Sequence, residues 1–247
     1  MAAPMDEHAT SDISSKTSEK DDKTDVDQSN ITKRSWKEKR IHTNCIERAD
    51  FACKHNPYVK FMLAAMEQIG CPIDPDTHIV CEPCASDSPV NGGFDPINGE
   101  IVLCENKSPS QRILSTLLTH ELIHAYDHCR AKVDWTDIRH VACSEIRASS
   151  LSGDCSFLSD SLYSWNFRFK NHHQTCVRRR AIGSILAVRN VSREEAEKAV
   201  DGVWETCFKD YAPFTTIPRR LADLKTSSHD QSHDQSHDQK RAHQPDR

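Results

Sequence analysis

The stretch Thr119-His-Glu-Leu-Ile-His-Ala-Tyr-Asp127 constrains this chain more than any other, because it holds the pattern H-E-x-x-H at His120, Glu121 and His124. Residues four apart on a helix lie one turn above each other on one face. That spacing brings two imidazoles to one metal ion, and Zn²⁺ accepts such nitrogen ligands. Glu121 stands beside the first of them, where a carboxylate can take a proton from a water that the ion acidifies. A pattern this short arises by chance in on the order of one chain in a hundred of this length. Its surroundings must therefore decide between a metal site and a helix carrying two ordinary histidines. They read as a helix. Ser108-Pro109 offers an N-cap with proline at the first helical position, and Ile113, Leu114, Leu117, Leu118, Leu122 and Ile123 recur at helical spacing. His120 and His124 fall at the edge of that apolar face, where a buried helix borders a cleft. Just upstream, Gly99-Glu-Ile-Val-Leu-Cys104 reads as a short strand. An edge strand beside a metal-binding helix can hold an extended peptide by β-addition. The pattern and its context predict a metallopeptidase with one catalytic Zn²⁺ on His120 and His124, and Glu121 as general base.

A third protein ligand has to come from another part of the chain, since His128, further along the same helix, would point past the ion. After that helix, Asp134-Trp-Thr136 reads as a connection, and Ile138, Val141, Ala142, Glu145, Ile146 and Ala148 follow at helical spacing before Ser152-Gly153. Glu145 comes 21 residues after His124, enough for the chain to turn and return as a second helix. Zinc peptidases of the thermolysin type place a glutamate ligand at comparable separation. Glu145 is the expected third ligand, ahead of His140 and Asp127, and against the alternative of a salt-bridged surface glutamate. His140, Arg147 and Tyr163 are the candidates for stabilising an oxyanion.

Cysteine content bears on the compartment. The chain of 247 residues carries eleven cysteines, an odd number, so at least one cannot pair within it. Cys81-Glu-Pro-Cys84 fits zinc, redox chemistry or disulfides; without a second C-x-x-C or a βαβ setting, structural disulfides are the choice. The nine residues between Cys71 and Cys81 match a spacing that disulfide-trapped intermembrane-space proteins carry twice. No apolar run approaches the length of a membrane span, and the N-terminus lacks the apolar core of a secretory signal. Acidic residues from Asp6 to Asp27 are wrong for a mitochondrial presequence. The mitochondrial intermembrane space reconciles many cysteines with the lack of a secretory signal. A net charge of −5 argues against nucleic acid as a partner.

Taken in order, residues 1–34 are polar and read as a disordered tail. A peptidase domain is expected over 35–224, and a polar low-complexity tail over 225–247, where Ser-His-Asp-Gln repeats three times. Asn56-Pro57 opens a helix that ends at Gly70. Asn91-Gly-Gly93 and Asn98-Gly99 read as turns framing a small antiparallel sheet. Aromatics from Phe157 to Phe169 read as core, and Arg178-Arg-Arg180 as a solvated basic face rather than a lipid contact. Ser192 and Glu195 form a capping box that opens a last helix running to Cys207. The fold class expected is α+β: a mostly helical, zincin-like metallopeptidase domain with a small antiparallel sheet beside the H-E-x-x-H helix.

Longer motifs go well beyond H-E-x-x-H: His120 to Trp135, Cys143-Ser-Glu-Ile-Arg-Ala148, Leu151-Ser-Gly-Asp-Cys155, Cys176-Val-Arg-Arg-Arg-Ala181 and Ala199-Val-Asp-Gly-Val-Trp204. From about Asn44 to Phe214 the chain resembles the mitochondrial inner-membrane metalloprotease family that matures subunit 6 of the ATP synthase membrane sector. The resemblance places the family's zinc ligands on His120 and His124 and its catalytic glutamate on Glu121. It implies a protease on the intermembrane-space side, peripherally associated with the inner membrane. It also implies a protease-independent role in assembling subunit 6 with the subunit 9 ring. Two rival readings stand beside the protease: an assembly factor whose surface matters more than its peptidase site, and a nuclear metalloprotease or DNA-repair adaptor.

Overall fold

Helix α1 (Trp36–His55) turns small residues inward, burying Cys45, Ala49, Ala52 and Cys53 while Trp36, Ile46 and Phe51 stay exposed. In the computed structural model, residues 34–107, 110–155 and 172–224 are described. Ser108-Pro109, the aromatic run from Phe157 to Phe169 with Tyr163, and both tails apart from Arg34 lie outside the described residues. Helix α2 (Pro57–Gln68) starts where Asn56 accepts the backbone N–H groups of Tyr58 and Val59. Val59, Met62, Ala65 and Met66 give it one buried face. Gly70 then follows at φ +82°, a left-handed conformation that suits glycine at a helix end. A one-turn helix α3 (Pro75–His78) leads into strand β1 (Ile79–Glu82), followed by β2 (Gly92–Asp95) and β3 (Glu100–Cys104). Four longer helices complete the described fold: α4 (Gln111–Arg130), α5 (Ile138–Leu151), α6 (His172–Val188) and α7 (Arg193–Cys207). The capping box of Ser192 and Glu195 is formed at the start of α7. Among the described residues, no helix is long and apolar enough to cross a membrane.

The sheet is mixed rather than antiparallel, with strand order β1-β3-β2. β2 and β3 form the expected hairpin, turned at Asn98-Gly99 with Gly99 at φ +71°. β1 instead joins the far side of β3 in parallel register, Ile79 against Ile101 and Cys81 against Leu103. The difference arises from the link 83–91, which carries the chain across the sheet instead of folding β1 back as a hairpin neighbour. Cys84 bonds to Cys104, and Cys104 N–H donates to Asn91 O, so both ends of that link are fastened to the end of β3. Asn91-Gly-Gly93 is consequently no turn: Gly92 and Gly93 lie within β2. A Cβ on Gly92 would stand 2.6 Å from Val102 O on the neighbouring β3 and 3.3 Å from a Leu117 methyl on α4, so only glycine lets β2 lie this close to the backbone of β3. The strand following the glycine turn, β3, is central, and β2 is the edge that faces the cleft.

Helix α4 begins two residues later than the Ser108-Pro109 signal would have it enter: Ser110 is the N-cap, its hydroxyl accepting from Ile113 N–H. Leu114, Leu118 and Leu122 recur four apart and are fully buried with Ile123, while Ile113 at the helix start is exposed. Two apolar clusters meet along α4 and α5. One gathers α1, α2, the sheet and α4, and receives Ala148 and Leu151 from α5. The other gathers α6 and α7 around Val141, Ala142 and Ile146 of α5. Helix α5 therefore has one foot in each.

Ten of the eleven cysteines pair: Cys45–Cys81, Cys71–Cys129, Cys84–Cys104, Cys143–Cys207 and Cys155–Cys176. The two cysteines of Cys81-Glu-Pro-Cys84 bond elsewhere rather than to each other, and Cys71 and Cys81 likewise have separate partners. Each bridge joins two different elements or an element to a loop, and the Cys71–Cys129 and Cys143–Cys207 bridges, closing the longest stretches at separations of 58 and 64, restrict the unfolded chain most. Only Cys53 is free and buried, and burial, with Asp50 and Asp76 nearby, pushes its thiol up to about 11. Unreduced protein should therefore yield one alkylatable thiol after denaturation, and that thiol should resist alkylation at pH 8 while the protein is folded. Mass spectrometry after trapping checks this, and three or more free thiols would contradict the pairing.

Candidate active site

The site is built where α5 packs against α4. Four-residue spacing on α4 puts the rings of His120 and His124 on one face, their centroids 4.8 Å apart. Asp137 caps α5 by accepting Arg139 N–H, and the contact of Arg147 with Asp127 seats the helix on α4 with Glu145 facing the histidines. One Glu145 oxygen lies 3.4 Å from His120 Nε2 and the other 3.5 Å from His124 Nε2. One donor atom from each of His120, His124 and Glu145 falls within 4.8 Å of the others, and all three residues are buried. Glu145 is thus the residue that the fold delivers to the two histidines.

These three residues could hold a metal ion, and their surroundings fit one. Glu145 Oε2 is buried without a hydrogen-bond partner, a position that costs about 1–3 kcal/mol or more for a polar atom with nothing to bind. Both Nε2 atoms face that carboxylate, while the Nδ1 atoms face away from it. His124 Nδ1 is 2.7 Å from Ser144 Oγ. His120 Nδ1 is 3.5 Å from Asp154 Oδ2, close enough for charge attraction but without the alignment of a hydrogen bond. Two nitrogens and one carboxylate oxygen, with His124 oriented from behind by Ser144 and His120 faced by Asp154, is a donor set that catalytic zinc sites use.

Electrostatics agree with that arrangement. Burial pushes the Glu145 carboxyl up, but the nearby imidazoles of His124 and His120 outweigh it and hold it well below the usual carboxylate range. Burial pulls the His120 imidazole down, and the Asp154 and Glu145 carboxylates outweigh that, holding it well above its ordinary value. The Glu121 carboxyl is pushed up by burial, against the pull of His120 and His124. A buried carboxylate with raised proton affinity suits a general base.

Glu121 lines the same cleft as His120, His124 and Glu145, a cavity of about 1270 Å³. Along one wall runs β2. Because Cys104 N–H donates to Asn91 O, antiparallel alternation pairs 93 with 102 and turns the backbone groups of Gly92 and Phe94 away from β3. Trp135 forms another part of the wall, its ring 6.0 Å from His124, with its Nε1–H donated to His128 Nδ1. His128 therefore serves Trp135 and does not reach the triad.

Other sequence candidates are placed elsewhere. Asp127 is buried on the far side of His124 from Glu145's oxygens, accepting from Ser144, Arg147 and Arg130. His140 is exposed, its Nδ1 accepting Asp134 N–H in the turn before α5. Arg147 is 1% exposed and fully engaged: it donates to Asp127 and to the carbonyls of Asp210 and Ala212. Neither His140 nor Arg147 lines the cleft, so neither stabilises an oxyanion; the third candidate, Tyr163, lies outside the described residues. Arg178 and Arg180 pair with Asp201 and Asp154 while Arg179 and Arg180 stay exposed, so the basic run is a solvated face with two of its charges paired. Sequence reasoning missed Ser144 and Asp154. Their adjacency to Glu145 and to the Gly153 turn carried no signal until the helices were packed.

The chain matches the model of the Peptidase M76 family over residues 43–215. It is 50% identical over 202 residues to the Mitochondrial inner membrane protease ATP23 homolog of Danio rerio, covering 80% of this chain and 78% of that protein. With the protein of the same description from Homo sapiens it shares 56% identity over 176 residues, 71% of this chain and 70% of the relative. The Xenopus laevis counterpart is 54% identical over 176 residues, 71% and 74% of the two chains. No solved structure matches.

Glu145→Gln preserves shape and removes the charge between the imidazoles. Metal retained after dialysis should fall by more than the about 10–100-fold typical of changes behind the ligands. Full zinc occupancy in that variant, measured by elemental analysis, would remove Glu145 from the ligand set.

Proposed function

On the premise that the chain belongs to the Peptidase M76 family, we propose that it is a zinc endopeptidase of the mitochondrial inner membrane. The observation that carries this reading is the convergence of His120, His124 and Glu145 in the cleft that Glu121 also lines. His120, His124 and Glu145 would hold the zinc, which supplies Lewis acidity that acidifies water and polarises the scissile carbonyl. Glu121 takes the proton of the attacking water and passes it to the leaving amine. A substrate segment lies extended along β2, pairing with the outward backbone groups of Gly92 and Phe94, with Trp135 packed beside it. This makes β2, rather than the strand after the Asn98-Gly99 turn, the substrate-binding edge. In this reading the peptidase domain spans 35–224 and the fold is zincin-like.

The resemblance supports a substrate, the precursor of ATP synthase subunit 6, met at the intermembrane-space face by a protein held peripherally on the inner membrane; cleavage of subunit 6 depends on its precursor carrying an extension. The same resemblance supports a second role, assisting subunit 6 to join the subunit 9 ring without cleavage. Five disulfides favour an oxidising compartment over the reducing nucleus, which weighs against the DNA-repair reading and against nucleic acid as a partner.

Glu121→Gln should keep zinc at wild-type occupancy and slow cleavage of a subunit 6 precursor by about 10²–10⁴-fold. Undiminished cleavage would refute the mechanism. Restored ATP synthase assembly in cells carrying only this variant would separate the assembly role from proteolysis, whereas failed assembly would tie the two together.

A further inference from the structure

We propose that Ser144 is a positioning residue that relays the charge of Asp127 to His124, fixing the imidazole proton on Nδ1 so that Nε2 keeps its lone pair for the ion. The inference rests on the zinc reading for its purpose, but the relay itself is read from a chain of buried contacts. A serine hydroxyl has one proton to give and can accept in return. Ser144 stands between two groups, His124 Nδ1 at 2.7 Å and Asp127 Oδ2 at 2.9 Å. Asp127 is also faced by Arg147 Nε at 2.9 Å and by Arg130 Nε at 3.0 Å. A carboxylate set against two guanidinium groups accepts hydrogen bonds and has none to give.

The direction of each bond follows. The single hydroxyl proton of Ser144 goes to Asp127, so Ser144 Oγ can only accept from the imidazole. His124 Nδ1 must then be the protonated nitrogen, and Nε2, 3.5 Å from Glu145 Oε1, the unprotonated one. Glu145 pulls the other way, towards a proton on Nε2, but its contact is the longer of the two. Histidine ligands are commonly oriented by a carboxylate bonded directly to the second ring nitrogen. Here a hydroxyl is interposed, so the aspartate that sets the tautomer sits one residue further out, inside a cage of arginines. His120 is handled differently, with Asp154 facing its Nδ1 at 3.5 Å and nothing between them.

The test uses the full-length protein with ¹⁵N-labelled histidine. Metal-free wild type in alkaline buffer should show the His124 proton on Nδ1 by long-range ¹H–¹⁵N correlation. Ser144→Ala leaves Glu145 as the sole partner, so the proton should move to Nε2, and zinc affinity in a chelator competition should drop by about 10–100-fold. Asp127→Asn offers a second arm. Its amide oxygen turns to the arginines and its NH₂ donates to Ser144, reversing the hydroxyl and again moving the proton to Nε2. A merely space-filling serine would leave the tautomer unchanged. The relay is overturned if Ser144→Ala keeps the proton on Nδ1 and binds zinc like wild type. Failure of wild type itself to bind zinc would instead sink the peptidase reading, and the tautomer measurement would still decide the relay.

Discussion

The contact between Arg147 and Asp127 holds the site together, because it sets how α5 lies on α4. Arg147 is almost completely removed from solvent, and a guanidinium in that position needs partners for its donors. It finds Asp127 on α4 and the Asp210 to Ala212 segment beyond α7. Losing one partner of such a buried pair typically costs about 3–5 kcal/mol, since the other charge is left uncompensated. The geometry of the triad follows from this seam. Glu145 lies two positions before Arg147, and His124 lies three before Asp127, so the ion pair and the ligand cluster are two readings of one helix–helix register. The Cys143–Cys207 bridge fixes the same helix from its outer side.

Much of this was legible in sequence, for physical reasons that differ by element. The helix carrying His120 and His124 was legible because burial repeats along it and a four-residue spacing has one geometric meaning. Its start was misplaced: Ser108-Pro109 and Ser110 both offer capping chemistry, and which one ends the coil depends on where β3 delivers the chain. Glu145 was legible from the length of chain needed to turn and come back. Asp127, His140 and Arg147 were each weighed for roles near the ion, and the fold gave all three structural ones. Nothing in a string of residues says whether a side chain at the edge of a helix face looks into a cleft or across to a neighbour; that is decided by the crossing of α4 and α5.

The sheet shows the same limit. Glycine next to asparagine signals a turn in isolation, and Asn98-Gly99 behaves so. Gly92 obeys another constraint, the close approach of one strand to the backbone of the next, where a methyl group would strike Val102 O. The two cannot be told apart without knowing what lies opposite. The order β1-β3-β2 depends likewise on which cysteines meet. Eleven thiols permit many pairings, and the choice of Cys104 for Cys84 fastens the link between β1 and β2 to the strand that becomes central.

Arg147's dependence on Asp210 and Ala212 has a temporal side. The residues that share this guanidinium with Asp127, and the cysteine that secures Cys143, belong to the stretch between Cys207 and Ala212, which is synthesised after the helices they steady. A polypeptide cut short before that stretch would carry both histidines and the glutamate, and Arg147 would keep Asp127, but its other guanidinium nitrogens and Cys143 would be left without their partners. Full seating of the glutamate helix on the histidine helix thus draws on contacts from the last part of the described chain, some sixty residues downstream.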